Sequence, residues 1–143
     1  MRRETWLPAT AASAGAARSI VREAAAEAGL KGEQTWDLLL ATTEAVTNAV
    51  RHGEAWPNDC ILLATRRSPR GLQVEVSDVG TFDSALAPAP LKATSGRGMQ
   101  IIAALVDRLE VKNADGRTLV RLEKRRDSGS RRASASRGGV RAA

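Results

Sequence analysis

Hydrophobic positions along the 143-residue chain follow two alternating periods. Ala17, Ile20, Val21, Ala24 and Ala28 recur at helical spacing, with Arg18, Arg22 and Glu23 mostly off that face. This predicts a helix from Ala11 to Ala28, stopped at Gly29. A longer helix is predicted from Glu33 to Arg51, ending at Gly53. Leu38, Leu39, Ala45, Val46, Ala49 and Val50 fill one broad arc, and Asp37, Glu44, Asn48 and Arg51 lie opposite, with His52 at the margin. The period then changes to two. Cys60 to Arg66 and Leu72 to Ser77 read as strands joined by the Ser68-Pro69-Arg70-Gly71 turn. Residues 79–95 read as a loop, Gly98 to Asp107 as a short apolar helix, and Arg108 to Lys112 with Arg117 to Glu123 as a second hairpin. Residues 4–8 read as a short edge strand ended by Pro8.

The predicted order is β-α-α-β-β-loop-α-β-β, without internal repeats. Strands joined mainly by hairpins imply a two-layer α/β (α+β) sandwich, with a mostly antiparallel mixed sheet and helices on one face. A chain of this length supports one hydrophobic core, assigned to residues 1–124. Aromatics are few (Phe82, Trp6, Trp36 and Trp56), so that core is aliphatic and rich in alanine.

Charge changes the picture only at the C-terminus. Of the net +6, five units lie in residues 125–143, an Arg/Ser/Gly-rich stretch without periodicity that is expected to be a disordered tail. Arg among Ser and Gly there would support weak, salt-sensitive nucleic-acid binding at most, and a solvated extension is the plainer expectation. Cys60 and His52 are the only residues of their types, which excludes an intrachain disulfide and a multi-cysteine metal site. No apolar run approaches the ~18 residues of a membrane span, and no signal core follows the basic start. A cytoplasmic protein without a membrane partner is expected.

Three segments have chemical potential. Glu44, Asn48 and His52 are spaced four apart and stack along one helix face. A carboxylate there can orient or deprotonate a hydroxyl, and an Asn oxygen suits Mg²⁺. The same spacing is also common on a solvated helix face. In Val76-Ser77-Asp78-Val79-Gly80 an Asp ends a hydrophobic strand, with a Gly two residues on. This is ordinary turn punctuation, or a buried acceptor for an adenine amino group with Gly80 allowing close approach. Ser95-Gly96-Arg97-Gly98 precedes a helix, so it is a plain flexible loop or a cradle of N–H groups for phosphate.

In this order the three segments resemble the N, G1 and G2 boxes of the GHKL (Bergerat-fold) ATP-binding superfamily. The string Glu44-Ala-Val-Thr-Asn48-Ala-Val-Arg-His52-Gly53 is most similar to that of bacterial anti-sigma-factor serine/threonine kinases. The resemblance implies ATP and Mg²⁺ as cofactors. It implies Glu44 as general base, Asn48 as Mg²⁺ ligand, Asp78 with Gly80 at adenine, and Gly96 and Gly98 at the phosphates. Thr118 would support the adenine pocket, His52 would line the site, and Arg97 and Lys92 are placed to meet phosphate charge. The pattern departs at Phe82, where the G1 box usually has a second Gly.

Within that superfamily, chaperones, topoisomerases and mismatch-repair ATPases need further domains, and a self-contained histidine kinase needs a separate phosphoacceptor His. The resemblance therefore implies phosphorylation of a serine on a small antagonist protein that competes with a sigma factor, in a chain often homodimeric among relatives. The alternative is a nucleotide-dependent anti-sigma or scaffold module without kinase activity.

Overall fold

The computed structural model describes residues 1–53, 60–78, 98–114, 117–126 and 139–142. The described elements are β1 (Arg2–Pro8), α1 (Ser13–Glu27), α2 (Gly32–Gly53), β2 (Cys60–Ser68), β3 (Gly71–Asp78), α3 (Gly98–Leu105), β4 (Arg108–Ala114), β5 (Arg117–Arg125) and β6 (Gly139–Ala142).

Local chemistry accounts for the helix ends. Gly29 has φ 84°, a conformation a Cβ would disfavour. Around it the Leu30 N–H donates to the Ala25 carbonyl and the Gly29 N–H to the Ala26 carbonyl, the paired bonds that close a helix C-terminus at a left-handed residue. At the start of α2 the Gln34 side chain accepts from the Lys31 backbone N–H at 2.9 Å. This satisfies one donor that the first turn leaves open.

The sheet order is β1-β2-β3-β5-β4-β6. Every neighbouring pair is antiparallel except β4 with β6, which is parallel. The expected mostly antiparallel mixed sheet is therefore observed. The register sets one face of the sheet: Leu63, Val76, Val120 and Val111 form one row, and Val74, Leu122 and Leu109 the next. These residues are buried in one core with Val21 and Ala25 of α1, Leu38 and Val46 of α2, and Met99 and Ile102 of α3. Helices thus cover that face, as a two-layer sandwich requires.

Arg125 lies in β5, and its N–H donates to Asp107 Oδ2 at 2.7 Å. The Arg126 guanidinium donates to the Ala28 carbonyl at 3.3 Å. Gly139–Ala142 pairs alongside Arg108–Val111 as β6. Residues 125–126 and 139–142 thus engage the rest of the fold, the latter by backbone pairing at an edge strand that composition does not reveal.

The predicted short helix ends two residues earlier than expected, at Leu105. There the Asp107 N–H donates to the Glu123 carbonyl at 2.9 Å, turning the chain into β4. None of the described helices is long and apolar enough to cross a membrane.

Candidate functional site

The inner face of the sheet differs in chemistry between its two ends. At one end Leu72 of β3 lies opposite Lys124 of β5, and at the other Asp78 lies opposite Thr118. Six residues along each strand separate the rows, about 20 Å. Period-two alternation places Asp78 on the same face as Leu72, Val74 and Val76. Asp78 is therefore buried within the sandwich, 3% exposed, rather than at a surface turn. Thr118, half-buried, is its cross-strand neighbour on that face.

At the opposite end the Lys124 ammonium donates to the Leu105 carbonyl at 2.8 Å and to Asp37 Oδ2 at 3.2 Å. The C-terminus of α3 is thereby held beside the first turns of α2. Asn48 follows Asp37 by eleven residues, three turns with only about 20° of drift, so it lies on the same flank about 16 Å further along. Helix α3 packs against α2, and Gly98 is at the end of α3 away from the Lys124–Asp37 anchor. Asp78 and Thr118 lie at the end of β3 and β5 away from Lys124.

Asn48 does not lie on an open polar side of α2, as its helical-wheel position predicted. It is 4% exposed. Neither its Oδ1 nor its Nδ2 has a hydrogen-bond partner among the described residues. A buried amide left in that state costs about 1–3 kcal/mol. Groups of this kind persist where a ligand supplies the missing partner. Glu44 lies one turn before Asn48 on the same flank and is half-buried, within reach of both solvent and the site.

The site residues predicted from sequence therefore fall into two sets. Glu44, Asn48, Asp78, Gly98 and Thr118 are described: the first two one helical turn apart on α2, Asp78 and Thr118 as a cross-strand pair, and Gly98 as the first residue of α3. Gly80, Phe82, Lys92, Gly96 and Arg97 lie outside the described residues, as does the side chain of His52, whose backbone is in the last turn of α2. The sequence reading missed the Lys124–Asp37 pair. Its signal was present, because Lys124 shares inward parity with Val120 and Leu122.

On the sheet face away from the helices, Glu75 accepts from Arg2 and from Arg121, each at 2.7 Å, and Arg121 also reaches Glu110 at 3.0 Å. Burial pushes the Glu75 carboxyl up, but the hydrogen bonds from Arg2 and Arg121 outweigh it and hold the group below its ordinary range.

Comparison with known proteins shows the family to which this fold belongs. The family model for the histidine kinase-like ATPase domain matches residues 7–124. The anti-sigma F factor of Thermoanaerobacter sp. (strain X514) is 32% identical over 117 residues, 76% of this chain and 82% of that protein. The anti-sigma F factor of Thermoanaerobacter pseudethanolicus (strain ATCC 33223 / 39E) matches to the same extent. The crystal structure of the RsbU and RsbW domains of Rv1364c from Mycobacterium tuberculosis is similar with a TM-score of 0.64 and 26% identity. That match covers 87% of this chain and 32% of the larger one. This chain belongs to the histidine kinase-like ATPase domain family, with anti-sigma F factors among its relatives.

Proposed function

We propose that this chain is an ATP-binding anti-sigma regulator that acts as a protein serine/threonine kinase, phosphorylating a small antagonist protein in a partner-switching system. The buried amide of Asn48, without a partner among the described residues, carries the nucleotide part of this reading. Mg²⁺ is usually held by one or two protein oxygens together with substrate phosphates, which suits Asn48 Oδ1. Among the described residues no group of three or more His, Cys, Asp or Glu is arranged to hold a metal alone.

In this reading Asp78 accepts from the adenine amino group, with Thr118 beside it and Gly80 allowing the base to approach. Gly98, at the N-terminus of α3, presents backbone N–H groups to the phosphates with Gly96 and Arg97, and His52 lines the site. Bound Mg-ATP supplies the phosphoryl group and neutralises its charge. Glu44 takes the proton of the partner's serine hydroxyl. The antagonist and a sigma factor compete for one surface of the chain, which acts as a homodimer.

Calorimetric titration with Mg-ATP tests the nucleotide claim. Saturable binding is expected, weakened at least about tenfold by Asp78→Asn, the loss of one charge-assisted hydrogen bond. No heat from the wild type would overturn the reading. Glu44→Ala is expected to abolish transfer of labelled phosphate to an antagonist while leaving nucleotide binding intact, and undiminished transfer would remove that role from Glu44. Phe82, in place of the usual second Gly, favours a second reading: a nucleotide-dependent binding module without chemistry. Binding of Mg-ATP with no labelled antagonist would support it.

A further inference from the structure

We infer that Lys124, held by Asp37, is a positioning residue for the phosphate end of the nucleotide site, acting through α3. This rests on the reading of Gly98 as a phosphate contact. Helix α3 has eight residues and is about 12 Å long. A rod that short transmits a displacement of one end directly to the other. Its C-terminal corner is fixed to three successive residues of β5. The Glu123 carbonyl accepts from the Asp107 N–H, Lys124 Nζ donates to the Leu105 carbonyl, and the Arg125 N–H donates to Asp107 Oδ2. Of these, only the Lys124 contact reaches the helix itself.

The choice of lysine at this position argues for a role in geometry. Position 124 lies on the inner face opposite Leu72, which is fully buried, and Lys124 is itself only 9% exposed. An apolar side chain would fill that space without desolvating a charge, and such replacements are often neutral or stabilising. An apolar group cannot, however, grip a carbonyl. The ammonium meets the negative end of the α3 dipole at its last residue, while Asp37 supplies the counter-charge from α2. Lys124 therefore sets the distance between α3 and the flank of α2 that carries Asn48. It fixes where Gly98 sits relative to Asn48 without touching the nucleotide.

The test uses the full chain and two ligands, Mg-ATP and adenosine. Lys124→Met is expected to weaken Mg-ATP about tenfold, leave adenosine affinity within about twofold, and speed amide hydrogen exchange across residues 98–105 in the unliganded protein. Lys124→Arg, which keeps a donor and a charge, is expected to restore most of the Mg-ATP affinity. Equal weakening of both ligands would indicate a general loss of fold and overturn the proposal, as would unchanged Mg-ATP affinity in Lys124→Met. Asp37→Asn is the milder variant should Lys124→Met fail to fold. It is expected to move Mg-ATP affinity in the same direction with adenosine unaffected, and equal effects on both ligands would again overturn the proposal. A wild type that binds neither ligand would instead defeat the functional reading itself.

Discussion

The two ends of the sandwich bury polar groups in opposite ways. Around Lys124 the ammonium has both a carboxylate and a carbonyl partner within 3.2 Å. Around Asn48 both amide atoms lack any partner among the described residues. Both groups are sequestered to a similar degree, so burial alone does not separate structure from function. Satisfaction does. A buried network that closes on itself is finished at folding, whereas an open one keeps its binding capacity for something that arrives later.

Replacing Asn48 with Leu should break this contrast most sharply. It removes the unpaired amide, so the unliganded protein is expected to gain about 1 kcal/mol of stability in denaturant titration. The same change should weaken Mg-ATP about a hundredfold, close to 3 kcal/mol. A destabilised Asn48→Leu protein would mean that the amide is satisfied within the fold.

Gly71→Ala attacks the closed end. A Cβ at Gly71 would lie 2.1 Å from the Lys124 carbonyl oxygen and 2.8 Å from the Arg125 Cα. Backbone cannot rotate away as a side chain can, so a loss of about 2–3 kcal/mol is expected, read as a lower melting temperature. An unchanged melting temperature would show that β3 and β5 separate there without strain.

The smallest effect concerns neither end. Glu75 titrates below its ordinary value of 4.5 because Arg2 and Arg121 hold its charged form. The unfolded chain therefore takes up its proton first as pH falls. The stabilisation is complete above the ordinary value and is lost as pH drops through the lower folded value. Part-exposed pairs of this kind contribute under about 1 kcal/mol. Glu75→Gln should flatten the acid limb of the stability curve slightly, while Mg-ATP affinity at neutral pH stays unchanged. An acid limb identical to the wild type's would assign it to other carboxyls.

Much of this architecture was legible along the chain, for local reasons. Gly29 ends a helix because it can adopt positive φ, and the Ser68–Gly71 turn joins two period-two runs that pair in register. The inward parity of Asp78 with Leu72, Val74 and Val76 was equally readable, because alternation along a strand needs no knowledge of its neighbours. The spacing of Glu44, Asn48 and His52, with the downstream Asp78 and Gly98, was sufficient to indicate the family.

Only the tertiary structure decided which polar positions are buried and which of those are satisfied. A helical wheel puts Asn48 and Asp37 on a polar side, but it does not say that Asn48 will be buried. That depends on contacts between segments far apart in the chain, such as α2 with α3. Strand β6 is the same case at the sheet edge, where Gly139–Ala142 finds β4 through backbone bonds that no side-chain pattern announces. Periodicity is a property of neighbours in sequence, whereas burial and hydrogen-bond partnership are properties of neighbours in space.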